Sequence, residues 1–309
     1  SWARVCVGSC RGKTGSAHSK FFVFSQVGRA RNVVIQGSAN LTIASTRNQW
    51  NDIYTYVGDK DVYGFVSRIF LEAAADKPLG NPLAVKRFGG HRLIMFPLAK
   101  KKPDPVMQVL NQVVCKGAKN TANGRTVIRI APDVIRQSRG MRLARKVREL
   151  WSRGCNIRIG YTVVGIDVGR LLRSGAGRGP VPMKHLVQDF NGDGEFDNYF
   201  HLKAMSIVGH MGTQRSSFVT LNGSANWSGL AGVSDENLGL YYNRGITLKY
   251  QSHLNFWYDN FPKPPPDTQA DTETAGQLIF GWGKKAVYED GTPVSGDVEF
   301  RPFARGVAD

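Results

Sequence analysis

Two histidine–lysine pairs have the types and spacing to do chemistry: His18 and Lys20 in AHSK, and His201 and Lys203 in FHLK. Each pair is followed, after apolar and turn residues, by the same word, GSAN, at residues 37–40 and 223–226. In an extended strand alternate side chains share one face. His18 and Lys20 then point the same way, as do Ser38 and Asn40, and the same holds for His201, Lys203, Ser224 and Asn226. Two such units facing each other would form a pocket with two imidazoles, two ammoniums, two hydroxyls and two amides. That inventory suits a phosphodiester. Lysines neutralise phosphoryl oxygens, and serines and asparagines donate hydrogen bonds to them. One histidine can attack phosphorus while the other protonates the leaving alkoxide. A carboxylate beside each imidazole holds the right tautomer. Asp52 and Glu236 are the candidates, in NDIYTYV and DENLGLYY. Asn51 competes with Asp52, because aligning the two segments by their strands sets Asn51 opposite Glu236.

The two HxK…GSxN units resemble the phospholipase D superfamily, whose signature, HxKxxxxD followed by GSxN, is used twice. The resemblance runs to about residue 262. It implies a catalytic set of His18, His201, Lys20, Lys203, Asn40 and Asn226, with Ser38 and Ser224 at the substrate. It implies a phosphohistidine formed on His18, His201 as general acid, and water or an alcohol resolving the intermediate. No metal or other cofactor is required in that scheme. The implied fold class is α/β: two repeats with mixed, mostly parallel sheets flanked by helices, and the active site between the repeats. Two departures stand out. The signature aspartate should fall at Ser25 and Val208, and neither is acidic. The interval from histidine to GSxN is longer than usual in both copies, and hairpin turns would absorb the difference.

The elements that must position these groups are legible as patterns. Residues 17–24 and 33–36 read as one hairpin, and 200–208 and 218–222 as a second. Helices are expected over 65–76 and 248–261. Between them the chain alternates strand 91–97, helix 104–118 with Pro105 in its first turn, strand 125–132, helix 139–154 and strand 156–164. Alternation of this kind implies a mostly parallel sheet with helices on its faces. His201 therefore has a long β-α-β-α-β lead-in, whereas His18 has 17 residues before it. The expectation is an N-terminally truncated chain, with residues 1–88 the later part of a first repeat, 89–262 a second repeat, and 263–309 a Pro-rich linker and tail. A signal peptide would have been lost with the missing part, giving a secreted protein.

The net charge of +17 favours polyanions. From residue 86 to 184 there are 22 Lys and Arg against 4 Asp and Glu, so the excess sits in the middle third. It either keeps the protein soluble or meets an anionic membrane surface or nucleic acid; the helix face of Arg139, Arg142, Arg145, Lys146 and Arg148 reads most simply as solvated. The expected substrate is a phospholipid, met by a monomer, with nucleic acid as the alternative. Trp50, Trp227, Trp257 and Tyr258 are candidates for a lipid interface. His91, His185, His210 and His253 read as ordinary surface or loop histidines. Cys6, Cys10, Cys115 and Cys155 allow two disulfides, Cys6–Cys10 and Cys115–Cys155, or four reduced thiols. DFNGDGEFD resembles a calcium loop, with Asp189, Asn191, Asp193 and Asp197 as structural Ca2+ ligands and Glu195 at the carbonyl position; the Glu expected at its twelfth place is Phe200. The bland reading is a polar turn.

Overall fold

The structure is a computed structural model that describes residues 3, 5–99, 102–190 and 196–260. Strands Phe21–Val27 and Ala30–Gly37 form an antiparallel hairpin, and Ile53–Tyr56 pairs with its second strand. Helix Lys60–Ala75 packs on this small sheet. Val62, Phe65, Val66 and Ile69 recur at helical spacing and are buried with Val34 and Tyr56. Asp59 starts the helix by accepting from the backbone N–H groups of Asp61 and Val62.

The second hairpin, Ala204–Met211 and Gln214–Gly223, is the middle of a larger sheet. Its strand order is Met183–His185, Asn156–Tyr161, Val127–Ala131, Ala204–Met211, Gln214–Gly223, Asn237–Tyr241, His91–Met95, Ala84–Phe88. The sheet is mixed, but not mostly parallel. Only the first two pairings are parallel and the others are antiparallel. Strands His91–Met95 and Val127–Ala131 do run in one direction. The hairpin and the return strand Asn237–Tyr241 are inserted between them, and each inserted neighbour pairs antiparallel.

Helices cover both faces, as the period-2 alternation of the strands requires. Ile128 and Ile130 pack with Leu143, Val147 and Leu150 of helix Gln137–Ser152. Ala131 packs on the other side with Leu254 of helix Arg244–Asn260. Three expectations are corrected. The helix expected over 104–118 is Pro105–Asn111, capped by Asp104, and the chain then turns into the short strand Val113–Val114 paired with the large sheet. Arg139 is not solvated: it is buried, donating to Asp104 Oδ2 at 2.6 Å and to the Asn226 carbonyl, whereas Arg142 and Arg145 are exposed. Strand Ala84–Phe88 is hydrogen-bonded to His91–Met95, so residue 88 ends a strand of the large sheet and the chain passes between sheets earlier.

The four cysteines form Cys6–Cys10 and Cys115–Cys155. The second joins the turn before strand Val127–Ala131 to the end of helix Gln137–Ser152 and spans 40 residues. Closing a loop of that length in the unfolded chain stabilises the fold by about 4 kcal/mol. Replacing Cys115 and Cys155 together by serine is expected to lower the urea unfolding free energy by about 3–4 kcal/mol, with native circular dichroism retained in the absence of denaturant.

Candidate active site

Each GSAN turn is set by a close approach of two backbones. Ser38 N donates to Asp52 O at 2.9 Å, and Ser224 N donates to Asn237 O at 2.9 Å. A Cβ on Gly37 would lie 2.0 Å from Asp52 O, and one on Gly223 2.1 Å from Asn237 O, so neither position tolerates a side chain. The serine hydroxyls complete the turn. Ser38 Oγ donates to Asn51 Oδ1 at 2.9 Å and accepts from Asp52 N at 3.1 Å. Ser224 Oγ donates to Glu236 Oε2 and accepts from Asn237 N at 2.9 Å. Ser38 and Ser224 therefore hold the next strand rather than point at a substrate, which corrects their expected role. The words QGSANLT and NGSANWS also end alike: Thr42 and Ser228 cap the short helices Ile43–Arg47 and Gly229–Val233.

The histidines are placed by the opposite half of the chain. Ala17 bridges Asp235 in parallel, and Phe200 pairs in parallel with Trp50. His18 N donates to Asp235 O at 3.1 Å, and His201 N donates to Trp50 O at 3.0 Å. The next residue on each partner segment then meets the imidazole. His18 Nδ1 lies 2.9 Å from both carboxylate oxygens of Glu236. His201 Nδ1 lies 2.8 Å from Asn51 Oδ1. Asn51 Nδ2 donates to Ser45 at 3.0 Å, which turns Oδ1 toward the ring. An acceptor at Nδ1 keeps the proton there and leaves the Nε2 lone pair for reaction. Asp52 does not reach an imidazole. Adjacent residues in extended backbone point to opposite sides, and Asp52 Oδ2 instead accepts from Tyr250 Oη at 2.6 Å.

The lysines behave alike in the two motifs. Lys20 Nζ donates to His18 O at 2.6 Å, and Lys203 Nζ to His201 O at 2.7 Å. Residues 201–203 lie between strands Asn198–Phe200 and Ala204–Met211 rather than inside one strand, and residues 18–20 precede strand Phe21–Val27. Asn40 is half-buried, with its N–H donating to Ser45 Oγ at 2.9 Å. Asn226 is buried; its amide nitrogen fits facing Pro132 O at 3.0 Å and Asp133 Oδ2 at 3.3 Å.

Sequence reasoning missed Asp133. It is buried, sits in the left-handed region at φ 55°, and its Oδ2 lies 2.8 Å from Lys203 Nζ and 3.9 Å from His201 Nε2. Its only trace in the sequence is an acid ending the apolar run RTVIRIAPD. Burial pushes its carboxyl above the ordinary range, opposed by Lys203. Burial lowers both imidazoles, aided by the lysines and opposed at His18 by Glu236; His201 is the lower, held well below the ordinary value. Burial also lowers Lys203, against the pull of Asp133, and brings Lys20 down to about 7.

Other expected residues do not join the site. Trp227 is buried, and Trp50 packs against Phe200 and Trp257, so these rings belong to the core and not to an exposed interface. His91 packs among Tyr56, Phe88 and Tyr241, and His185 Nε2 bonds Thr162 O at 2.7 Å while stacking on Tyr161; both are half-buried. Of the calcium loop, Asn191, Asp193 and Glu195 lie outside the described residues, and Asp197 Oδ2 accepts from Phe190 N at 2.5 Å.

The fold has counterparts among solved structures. A polyphosphate kinase from Porphyromonas gingivalis matches with a TM-score of 0.52 at 13% identity, over 81% of this chain and 34% of that one. The chain thus spans about a third of that enzyme's length. A phosphatidylserine synthase from Haemophilus influenzae Rd KW20 matches at TM-score 0.48 and 14% identity, over 79% and 62% of the two chains. Nuc from Salmonella typhimurium, a phospholipase D family member, matches at TM-score 0.35 and 12% identity, over 55% and 95%. No family model and no curated protein matches the chain. At these identities the likeness is one of fold: the chain has a mixed α/β fold that the polyphosphate kinase shares over 81% of this chain.

The lowered Lys20 has a consequence for stability. Its folded value of about 7 lies below the ordinary 10.5 of a lysine. Between those values the unfolded chain binds the proton and the folded chain does not, so raising the pH across this window favours folding. In urea unfolding, the stability of wild type relative to Lys20→Met is expected to rise between pH 7 and pH 9; a flat difference would contradict the buried-cation reading.

Proposed function

We propose that the protein is a phosphodiesterase that works through a covalent phosphohistidine on His18. The observation that carries this reading is the crossed pair of Nδ1 acceptors, a carboxylate on His18 and a neutral amide on His201. His18 Nε2 attacks phosphorus and the bond to the leaving oxygen breaks. His201 gives that oxygen its Nε2 proton. His201 then takes a proton from water, the water oxygen attacks phosphorus, and the phosphorus–nitrogen bond of His18 breaks to release a phosphomonoester. Glu236 stabilises the positive charge that the His18 ring acquires on phosphorylation, which an amide cannot do as well. The bound phosphoryl group favours the protonated state of His201 against its buried surroundings. Lys20, Lys203 and the Asn40 amide serve the phosphoryl oxygens, with Asn226 beside them and its amide nitrogen turned to Pro132 O and Asp133 Oδ2. No metal takes part.

The substrate we favour is a phospholipid. Leu41 and Ile43 directly follow Asn40 and are 85% and 67% exposed; Leu230 and Val233 follow Asn226 and are 37% and 42% exposed. Apolar side chains left in solvent beside both motifs suit an acyl-chain boundary. The phosphatidylserine synthase and the phospholipase D family member among the similar structures are named for related chemistry. The exposed Arg142 and Arg145 favour nucleic acid as the second reading. Two disulfides fit an oxidising compartment, in keeping with secretion.

The test is choline release from phosphatidylcholine vesicles beside plasmid nicking, both in EDTA. Wild type is expected to release choline. His18→Ala and His201→Ala should each lose about 1,000-fold or more, and Glu236→Gln about 100-fold, in line with the size of acid–base contributions. Nicking without release would move the substrate to nucleic acid, and full activity in His18→Ala would sink the phosphohistidine route.

A further inference from the structure

The Asp133 carboxylate takes no step in the chemistry above, yet it touches the working groups of the second motif. Its Oδ2 is 2.8 Å from Lys203 Nζ, 3.3 Å from the Asn226 amide nitrogen and 3.9 Å from His201 Nε2. These are the lysine, asparagine and histidine that would share a phosphoryl oxygen. The residue is held there. Its carbonyl accepts from Thr162 N at 3.0 Å and Val163 N at 2.9 Å, and its φ of 55° is one that a residue with a side chain keeps when its surroundings impose it. The side chain is 4% exposed on the Lys203 side of the pocket.

Lys20 and Lys203 are the basic groups at the pocket, and Glu236 and Asp133 are the carboxylates beside His18 and Lys203. Glu236 is committed to His18 and Ser224. Asp133 is the carboxylate that shares its lysine with the incoming phosphate. A phosphodiester carries one negative charge, whereas a phosphomonoester carries about −1.5 to −2 near neutrality. Each added charge is repelled by a carboxylate on the same lysine.

We propose that Asp133 sets the charge selectivity of the pocket, admitting a monoanionic phosphodiester and disfavouring a dianionic phosphomonoester. The proposal rests on the phosphodiesterase reading above. It gives the residue a role at both ends of turnover: a diester enters, and the monoester formed by hydrolysis is driven out by the charge it has gained.

Binding rather than turnover tests this, by phosphorus NMR titration at pH 7 with dimethyl phosphate as the monoanion and methyl phosphate as the largely dianionic probe. Wild type is expected to bind dimethyl phosphate more tightly. Asp133→Asn should shift the preference toward methyl phosphate by about tenfold or more, the size of one neighbouring charge on a buried anion. Asp133→Ser, which keeps a hydrogen-bonding group near Lys203, should shift it the same way and serves if the amide variant folds poorly. A wild type that prefers methyl phosphate, or variants in which the preference is unchanged, would overturn the role of Asp133 while leaving the phosphodiesterase reading intact. Failure of both probes to bind wild type and variants alike would overturn that reading and the proposal with it.

Discussion

The pocket depends on a crossed exchange: each imidazole takes its backbone anchor and its Nδ1 acceptor from the return segment of the other motif. His18 leans on Asp235 and Glu236, and His201 on Trp50 and Asn51. Neither motif can orient its own histidine. Moving one half relative to the other by a single residue would replace both acceptors by side chains that point to the opposite face. The chemistry is therefore coupled to the packing of the two halves, and that packing is specified by a polar contact as much as by apolar burial. Gln36 and Asn222 precede the two GSAN glycines at equivalent places and bond each other at 2.7 Å. Asn237 reaches Gln36 at 2.7 Å, and Tyr241 bonds Gln36 at 2.8 Å and Tyr56 at 2.9 Å. These groups are buried. A buried network of this kind is costly when mispaired, so it selects one register of the halves over its neighbours.

The glycine of each motif transmits this register to the site. Because the neighbouring carbonyl lies where a Cβ would be, the strand carrying Asn51 or Glu236 comes within reach of the serine hydroxyl. The serine then fixes the rotamer of the acceptor, and the acceptor fixes the tautomer of a histidine on the other motif. Two letters of GSAN, the glycine and the serine, thus act through a neighbouring segment, and the asparagine stands at the pocket wall. This explains why the word is written twice without requiring serine to touch a substrate.

What could be read from the sequence was the local part of this chain of contacts. The two HxK…GSAN units, their hairpins and their closing helices follow patterns of period 2 and 3.6 that survive in any context. The partner of the His201 ring is only half legible: aligning strands sets Asn51 opposite Glu236, a neighbouring carboxylate favours Asp52, and the alternation of side chains across an extended segment decides for Asn51. The sheet was misjudged for a different reason. Neighbourhood in a sheet is a long-range property: the hairpin and strand Asn237–Tyr241 lie between two like-directed strands, so the pairings there are antiparallel while the two at one edge stay parallel. Trp227 and Trp50 look like interface residues by type, and packing against Ile135, Phe200 and Trp257 hides them. Asp133 has no period and no repeat partner to betray it, since its position is set by a loop conformation and by contacts 68 and 70 residues away.

The near-symmetry of the pocket makes its one asymmetry informative. By matched contacts Asn51 corresponds to Glu236, and Asp52 to Asn237, so the acid has moved one place along an otherwise equivalent segment. In one half it faces an imidazole, and in the other it faces Tyr250. An imidazole hydrogen-bonded to a carboxylate is the better nucleophile and the better carrier of a phosphoryl group, because both acts place positive charge on the ring. An imidazole held by an amide keeps its tautomer but parts with an added proton more readily, which is what a general acid must do. The proposed assignment of His18 and His201 to the two tasks therefore rests on a one-residue displacement of charge and not on any difference between the motifs themselves. It also leaves Asp133 on the His201 side of the pocket, 3.9 Å from His201 Nε2.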